Sequence, residues 1–441
     1  MTDTLFSLIY SGNDSLIALK DVSEEITYKE LKKRILSLSE ILRKKFNNMP
    51  FRVLFALPAS IKLSVMIFAA VKAGGLVFMA SPDGDEVWQL RKKYGIDTVV
   101  SADDEKGESP ETFMADNGTV YNVSEKTTDT FGASLAFFTS GTFGEPKCVL
   151  LSEKNLCSNV KAGCEMLSFE NTDIHLNTLP FYHAYGITCS LLAPLYSGGT
   201  LCFGKGIASF FDDLEYFKPS FIQTVPLVAE SLLKYSNVKE ISIKKILSGG
   251  AHTPPELIKA FRKKGIAVYS CYGMTECSPC ISCNDGCEEN DDSEGRLLSC
   301  NEISFFDGEI LLRGDNVMCG YFGESRQTGF FRTGDIGFLD EKGYLHIVGR
   351  KNGCIKLPNG ERLFPEEVER IAEGFCGVAE SRAVYENMKI ILEVFSGEKE
   401  INKYALLDYV NSRMPAFSRV SDIRIMKAPL PKTATMKIKR N

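Results

Sequence analysis

The stretch Leu135–Ser152 joins two apolar strands through the loop Thr139-Ser140-Gly141-Thr142-Phe143-Gly144-Glu145-Pro146-Lys147. That loop holds three hydroxyls, two glycines and a lysine. Glycines let backbone N–H groups turn toward an anion, and hydroxyls and an ammonium hold phosphate oxygens. It is not a Walker loop: G-x4-G-K-[ST] is absent, and a strand rather than a helix follows. On composition alone a polar hairpin turn explains the loop equally well.

A second candidate is Cys277–Cys287, whose four cysteines have the spacing C-x2-C-x2-C-x3-C. That is the spacing of a bacterial iron–sulfur run. Cys280 and Cys283 read as part of a strand, in which side chains three apart face opposite sides. Four thiolates then fail to converge, and small, soft, half-buried residues are the expected reading. An iron–sulfur or metal-binding redox protein stays open as the rival. The four histidines, His175, His183, His252 and His346, show no metal-ligand pairing.

Seven further stretches change the weight of these observations. TSGTFGEPKCV resembles the phosphate loop TSGTTG-x-PKGV of the acyl-adenylate-forming (AMP-binding) superfamily, with Phe143 and Cys148 departing from it. In order follow LPFYHAYGI (Leu179–Ile187), LSGGAHTPPEL (Leu247–Leu257), YGMTE (Tyr272–Glu276), GEILLRGDNVMCGYFG (Gly308–Gly323), RTGDIGFLDEKGYLHIVGR (Arg332–Arg350) and the ending PKTATMKIKRN. Each resembles the corresponding segment of that superfamily. LLSEKNLCSNV, YGMTECSP and KLPNGERLFPEEVE resemble its bacterial long-chain fatty acyl-CoA synthetases.

The resemblance implies roles. Thr139, Ser140, Gly141, Thr142, Gly144 and Lys147 would cradle the phosphates of ATP. Gly249, Gly250 and Ala251 would form the adenine-side loop, with Tyr272 and Gly273 beside the base. Thr275 would bond the α-phosphate, and Glu276 would hold Mg²⁺, a hard ion that prefers oxygen ligands. Asp335 and Arg350 would bind the ribose; alone, Asp335 reads more readily as a turn aspartate. His183, Val225 and Cys277 would face the acyl pocket, and Gly360 would let the pantetheine arm of CoA pass. Asn352 would be the hinge residue. Lys437 would stabilise the adenylation transition state, although Lys432, Lys437, Lys439 and Arg440 also read as a solvated basic tail.

The expected reaction is ATP-dependent conversion of a carboxylate, expected to be a fatty acid, to acyl-AMP, then thioester formation with CoA. Delivery to an acyl carrier protein thiol is the alternative. An amino-acid substrate fits less well, because Phe181-Tyr182-His183-Ala184 has no aspartate to pair a buried ammonium.

These residues need elements to hold them. Leu and Ile recur at helical spacing in Ile26–Phe46. FRVLFAL, GLVFMA and IDTVVSA read as strands; SIKLSVMIFAAVKAG and DEVWQLRKKYG read as helices. Such alternation, resumed from Leu135 to about Gly265, predicts α/β architecture: a large N-terminal domain with doubly wound sheets. Polar residues 103–130 read as a linker between subdomains. After Gly308 short strands with glycine turns appear, and a small mobile α+β C-terminal domain is expected at 351–441, following a domain at 1–350. The 441-residue length suits one large and one smaller domain. A net charge of −6 gives no global field for nucleic acid. Fourteen cysteines behind a start without a signal peptide indicate a reducing, cytoplasmic setting. The apolar run Leu63–Ala80 is broken by Lys72 and Gly74-Gly75, so no transmembrane segment is predicted, while peripheral membrane contact stays open.

Overall fold

The computed structural model describes residues 3–10, 12–84, 87–116, 128–139, 147–235, 242–286, 290–357, 362–397, 400–415, 418–432 and 438. Parallel strands alternate with helices through its first half, as the periodicity predicts. In the helix Tyr28–Lys45, Leu31, Ile35, Leu38 and Leu42 form one buried stripe, the spacing that packs one helical face on a core. Thr27 caps it by accepting from the Glu30 N–H at 3.2 Å. The chain just before it, Glu25–Thr27, is a strand, so the helix begins slightly later than the apolar pattern suggested.

Three sheets carry the candidate site. A nine-stranded sheet has the order Arg296–Leu297, Cys280–Cys283, Ala267–Gly273, Lys245–Ser248, Phe221–Thr224, Ile174–Asn177, Thr200–Phe203, Ile17–Lys20, Glu25–Thr27. Its middle pairs are parallel. A six-stranded sheet runs Gly320–Tyr321, Cys148–Leu151, Leu135–Phe138, Gly75–Met79, Phe51–Ala56, Thr98–Ser101. The helix Ile61–Lys72, buried along nearly its whole length, explains the apolar run that precedes Gly74. No helix among the described residues is long and apolar enough to cross a membrane.

A third, antiparallel sheet comprises Asn301–Phe306, Glu309–Gly314, Phe331–Leu339 and Leu345–Arg350. Beyond it, Leu363, Val368, Leu392, Val394, Leu406, Val410 and Ile423 form a separate core under a three-stranded sheet.

The helix Glu153–Leu167 matters below. Ser152 and Asn155 close a capping box at its start, and Leu156, Val160, Cys164 and Leu167 face inward. Gly163 sits in its interior, where glycine costs about 0.5–1 kcal/mol relative to alanine. A Cβ there would meet nothing within 4 Å.

Residues 103–130 do not join two subdomains. The strands on either side, Thr98–Ser101 and Leu135–Phe138, belong to the same six-stranded sheet. Within the segment, the short helix Pro110–Met114 buries Phe113 completely. Its ring lies edge-on to Phe55, with centroids 5.6 Å apart. The Lys45 ammonium donates to the Thr112 and Phe113 carbonyls at 2.8 and 2.7 Å. A buried aromatic without a collapsible surround is costly to truncate, so Phe113→Ala should lose about 3–5 kcal/mol. Urea unfolding measures this; a loss under about 1 kcal/mol would return the segment to a loose linker.

Candidate active site

The phosphate-loop candidate begins where two antiparallel strands, Leu135–Phe138 and Cys148–Leu151, part. The Thr139 N–H donates to the Lys147 carbonyl at 2.9 Å, and the Lys147 N–H donates to Thr139 Oγ1 at 3.3 Å. The loop is thus closed at its base. Ser140, Gly141, Thr142 and Gly144 lie outside the described residues, as do Lys437, Gly360 and Cys287.

Lys147 points across this mouth. Its ammonium sits 4.1 Å from the centroid of the Tyr321 ring and 3.5 Å from the Glu324 carboxylate. The Tyr321 hydroxyl donates to Glu276 Oε1 at 2.9 Å. Burial first, then the neighbouring Glu276, raises the Tyr321 pKa, so this phenol stays a donor. Glu276 is itself buried, in the 3-10 turn Thr275–Cys277, beside Thr275. Tyr321 therefore links the phosphate-side lysine to the carboxylate expected to hold Mg²⁺. One carboxylate oxygen plus substrate phosphates is the donor set that Mg²⁺ favours, and the residues present fit it. Tyr321 lies within the Gly308–Gly323 stretch, but nothing in the sequence assigned it a role.

Gly273 ends the strand Ala267–Gly273, just before Thr275. A Cβ there would stand 2.1 Å from the Pro279 carbonyl oxygen, which leaves room only for glycine. Just upstream, the Tyr272 hydroxyl donates to Asp335 Oδ2 at 2.5 Å. Arg350 Nε meets Asp335 Oδ1 at 2.8 Å. Asp335 and Arg350 are cross-strand partners in the antiparallel sheet, so register alone brings them together. The resemblance gave Tyr272 to the adenine; the structure ties its hydroxyl to the ribose candidate. Burial first, and Asp335 next, push the Tyr272 pKa up, so it donates.

The glycine loop follows the strand Lys245–Ser248. A Cβ on Gly249 would reach 2.6 Å from Cys271 Sγ and 3.2 Å from the Tyr185 ring. Gly250 has φ +80°, and Ala251 is exposed. Val225 borders Gly250 and precedes the helix Pro226–Lys234. The Tyr185 hydroxyl donates to the Leu247 carbonyl at 2.9 Å, bracing the loop from behind.

Behind that brace is a narrow apolar cleft between the helix Glu153–Leu167, the π-helix Gly186–Leu192 and the strand Cys280–Cys283. It is bounded by Gly163, Leu167, Thr188, Cys189, Leu247 and Cys280, among others, and not by His183, Val225 or Cys277. His183 is half-buried against Tyr182, with ring centroids 4.5 Å apart. Cys277 is wholly buried in the main core, and its carbonyl accepts from Asn316 Nδ2 at 2.9 Å. Asn352 lies exposed in the turn Lys351–Gly353, which the Lys351–Glu309 ion pair anchors at 2.8 Å.

The strand expected at Cys280 and Cys283 is present, but simple alternation across it fails. Cys271 pairs with Cys283, while Gly273 pairs with Cys280 after a register shift. Such a bulge inserts one residue and reorients the next side chain. The Cys280 thiol therefore hydrogen-bonds the Cys271 side chain on the side that Cys283 also faces. That hydrogen bond and burial raise the Cys280 pKa; burial dominates at Cys189 and Cys283. Thiols held protonated are poor nucleophiles and poor metal ligands. Among the described residues, no group of three or more His, Cys, Asp or Glu side chains is placed to hold a metal ion.

A profile of the family described as AMP-binding enzyme matches residues 11–322. The 2-succinylbenzoate–CoA ligase of Bacillus subtilis is 28% identical over 327 residues, 69% of this chain and 67% of that protein. Its counterpart in Bacillus cereus strain ATCC 10987 is 25% identical over 456 residues, covering 96% and 94%. The fold matches o-succinylbenzoate CoA synthetase (MenE) of Bacillus subtilis in complex with an acyl-adenylate, with a TM-score of 0.85, 22% identity and coverage of 100% and 97%. ATP-bound MatB from Rhodopseudomonas palustris gives the same values. The two ligases and MenE, though not MatB, are named for 2-succinylbenzoate. The expected kinship with long-chain fatty acyl-CoA synthetases is corrected to the coarser level of the whole family.

Replacing Asp335 tests the clamp. Asp335→Asn keeps the shape but removes the charge-assisted acceptor, worth about 1.5–3 kcal/mol. The KM for ATP in pyrophosphate exchange should rise by about 10- to 100-fold. An unchanged KM in a folded variant would remove Asp335 from the nucleotide site.

Proposed function

We propose, on the premise that this chain belongs to the AMP-binding enzyme family and is an AMP-forming acid–thiol ligase, that it activates a carboxylic acid as its acyl-adenylate and passes the acyl group to the thiol of CoA. The observation that carries this reading is the pairing of two constellations at the two ends of one short segment, Tyr272–Glu276. On one side, Asp335, Tyr272 and Arg350 offer an acceptor and donors suited to a sugar's hydroxyls. On the other, Lys147, Tyr321 and Glu276 offer a cation, a donor and a metal-binding carboxylate suited to phosphates.

The chemistry follows from those positions. A carboxylate oxygen of the acid attacks the α-phosphorus, and the bond to the bridging oxygen of pyrophosphate breaks. Lys147 and the loop it closes hold the departing phosphates in line. Mg²⁺, held by Glu276, would neutralise the phosphate charge. Thr275, one residue before it, is proposed to donate to the α-phosphate. In the second step the CoA sulfur adds to the acyl carbonyl, and AMP leaves with the electron pair of the broken C–O bond.

Lys437 is proposed as the cation of the first step. Its neighbour Lys432 pairs with Glu380 at 2.6 Å and forms an antiparallel bridge with Ile438. Lys432 also acts electrostatically on Glu230, in the helix that starts beside Gly250. These contacts of Lys432 and Ile438, which flank Lys437 in the sequence, support the assignment. Residues 351–441 are proposed to turn as a lid about Asn352 between the two steps, with Gly360 bordering the path of the CoA arm.

The acyl group is assigned to the apolar cleft. Its free volume of about 20 Å³ holds one water molecule, so an acyl group must displace the soft side chains around it. A long fatty chain requires more displacement than a short or compact acid.

Two half-reactions test the mechanism. Lys437→Ala should cut acyl-adenylate formation by about 10²–10³-fold, the usual effect of removing one well-placed donor. Given synthetic acyl-adenylate and CoA, the same variant should form thioester at near the native rate. Equal loss in both half-reactions, or in neither, would return Lys437 to a solvated basic tail.

A further inference from the structure

Two features of the acyl cleft have no structural explanation. Gly163 lies in the interior of a helix, where glycine is unfavourable. Glycine there usually admits close packing, yet, apart from its chain neighbours and its own helix backbone, nothing described lies within 4 Å of where its Cβ would be. It faces the cleft. The second feature is Thr188, on the opposite wall. It is 1% exposed and its hydroxyl has no hydrogen-bond partner. A hydroxyl shut away from water without a partner is costly. The side-chain amide at the cleft, that of Asn159, is already used: it donates to the Cys280 carbonyl at 2.6 Å and accepts from the Cys280 N–H at 3.3 Å. None of the described residues lining the cleft is Lys, Arg or His.

We propose that Gly163 and Thr188 determine acyl specificity: the pocket takes a compact, uncharged acyl group that carries a keto or hydroxyl oxygen, and it disfavours a second carboxylate. The absent Cβ at Gly163 leaves the width, and Thr188 supplies the bond to the oxygen. A second carboxylate would be buried with no cation to pair it. This rests on the ligase reading above and separates the chain's substrate from that for which its relatives are named, since 2-succinylbenzoate carries two carboxylates.

Three acids isolate the terms: 4-oxo-4-phenylbutanoate, 4-phenylbutanoate without the keto oxygen, and 2-succinylbenzoate with the added ring carboxylate. Acid-dependent ATP–pyrophosphate exchange should give the keto monoacid at least about a tenfold higher kcat/KM than either of the others. Thr188→Val should abolish the preference for the keto acid over 4-phenylbutanoate and leave the KM for ATP unchanged; Thr188→Ser should keep the preference. Gly163→Ala should lower kcat/KM for both phenyl monoacids by at least about tenfold, spare butanoate, and leave the melting temperature unchanged or higher. Preference for 2-succinylbenzoate, or a keto preference that survives Thr188→Val, would overturn the proposal while leaving the ligase reading intact. Exchange with no acid at all, in protein that binds ATP, would overturn the ligase reading and this one with it.

Discussion

The buried carboxylate of Asp335 is the contact on which the site depends. It is 3% exposed, and an anion so placed is tolerated only when it is paired and hydrogen-bonded. Arg350 and Tyr272 meet that need from two directions. Tyr272 belongs to the nine-stranded sheet, while Asp335 and Arg350 belong to the antiparallel sheet. The charge therefore fixes how the two sheets meet. Gly273 ends the strand that carries Tyr272, and Thr275 and Glu276 follow directly, so the groups proposed for the sugar and for the phosphates share one continuous segment.

A second constraint comes from the bulge between Tyr272 and Gly273. It turns the strand Cys280–Cys283 so that its thiols gather against Cys271 and beneath Tyr185. Tyr185 in turn props the Gly249 loop. The same irregularity therefore shapes the Gly249 loop on one side and the apolar cleft on the other. Thiols suit that role: they are small, polarizable and adaptable, and burial keeps them protonated.

Much of the architecture was legible because periodicity is a local property. The stripe Leu31, Ile35, Leu38, Leu42 announces its helix, and the apolar runs at Phe51 and Gly75 announce buried parallel strands. The nucleotide groups were legible only through ordered motifs, since Asp335 by itself is indistinguishable from any turn aspartate. What escaped has physical reasons. Phe113 is a single aromatic in a polar stretch, with no period to betray the helix it anchors. Cys280 and Cys283 defeat the alternation rule because one inserted residue reverses a face. Tyr321, Gly163 and Thr188 matter through neighbours far away in the chain, and a one-dimensional pattern does not record those.

Arg350 ends the last strand of the antiparallel sheet, and the turn Lys351–Gly353 begins at the next residue. Immediately before it, a Cβ on Gly349 would lie 2.9 Å from Phe364 and the Glu366 carboxylate, at the start of the C-terminal segment's first helix. The seat proposed for a sugar and the proposed hinge are thus adjacent links of one chain. In the proposed lid motion, whatever occupies that seat bears on the hinge directly, without any relay of intervening side chains.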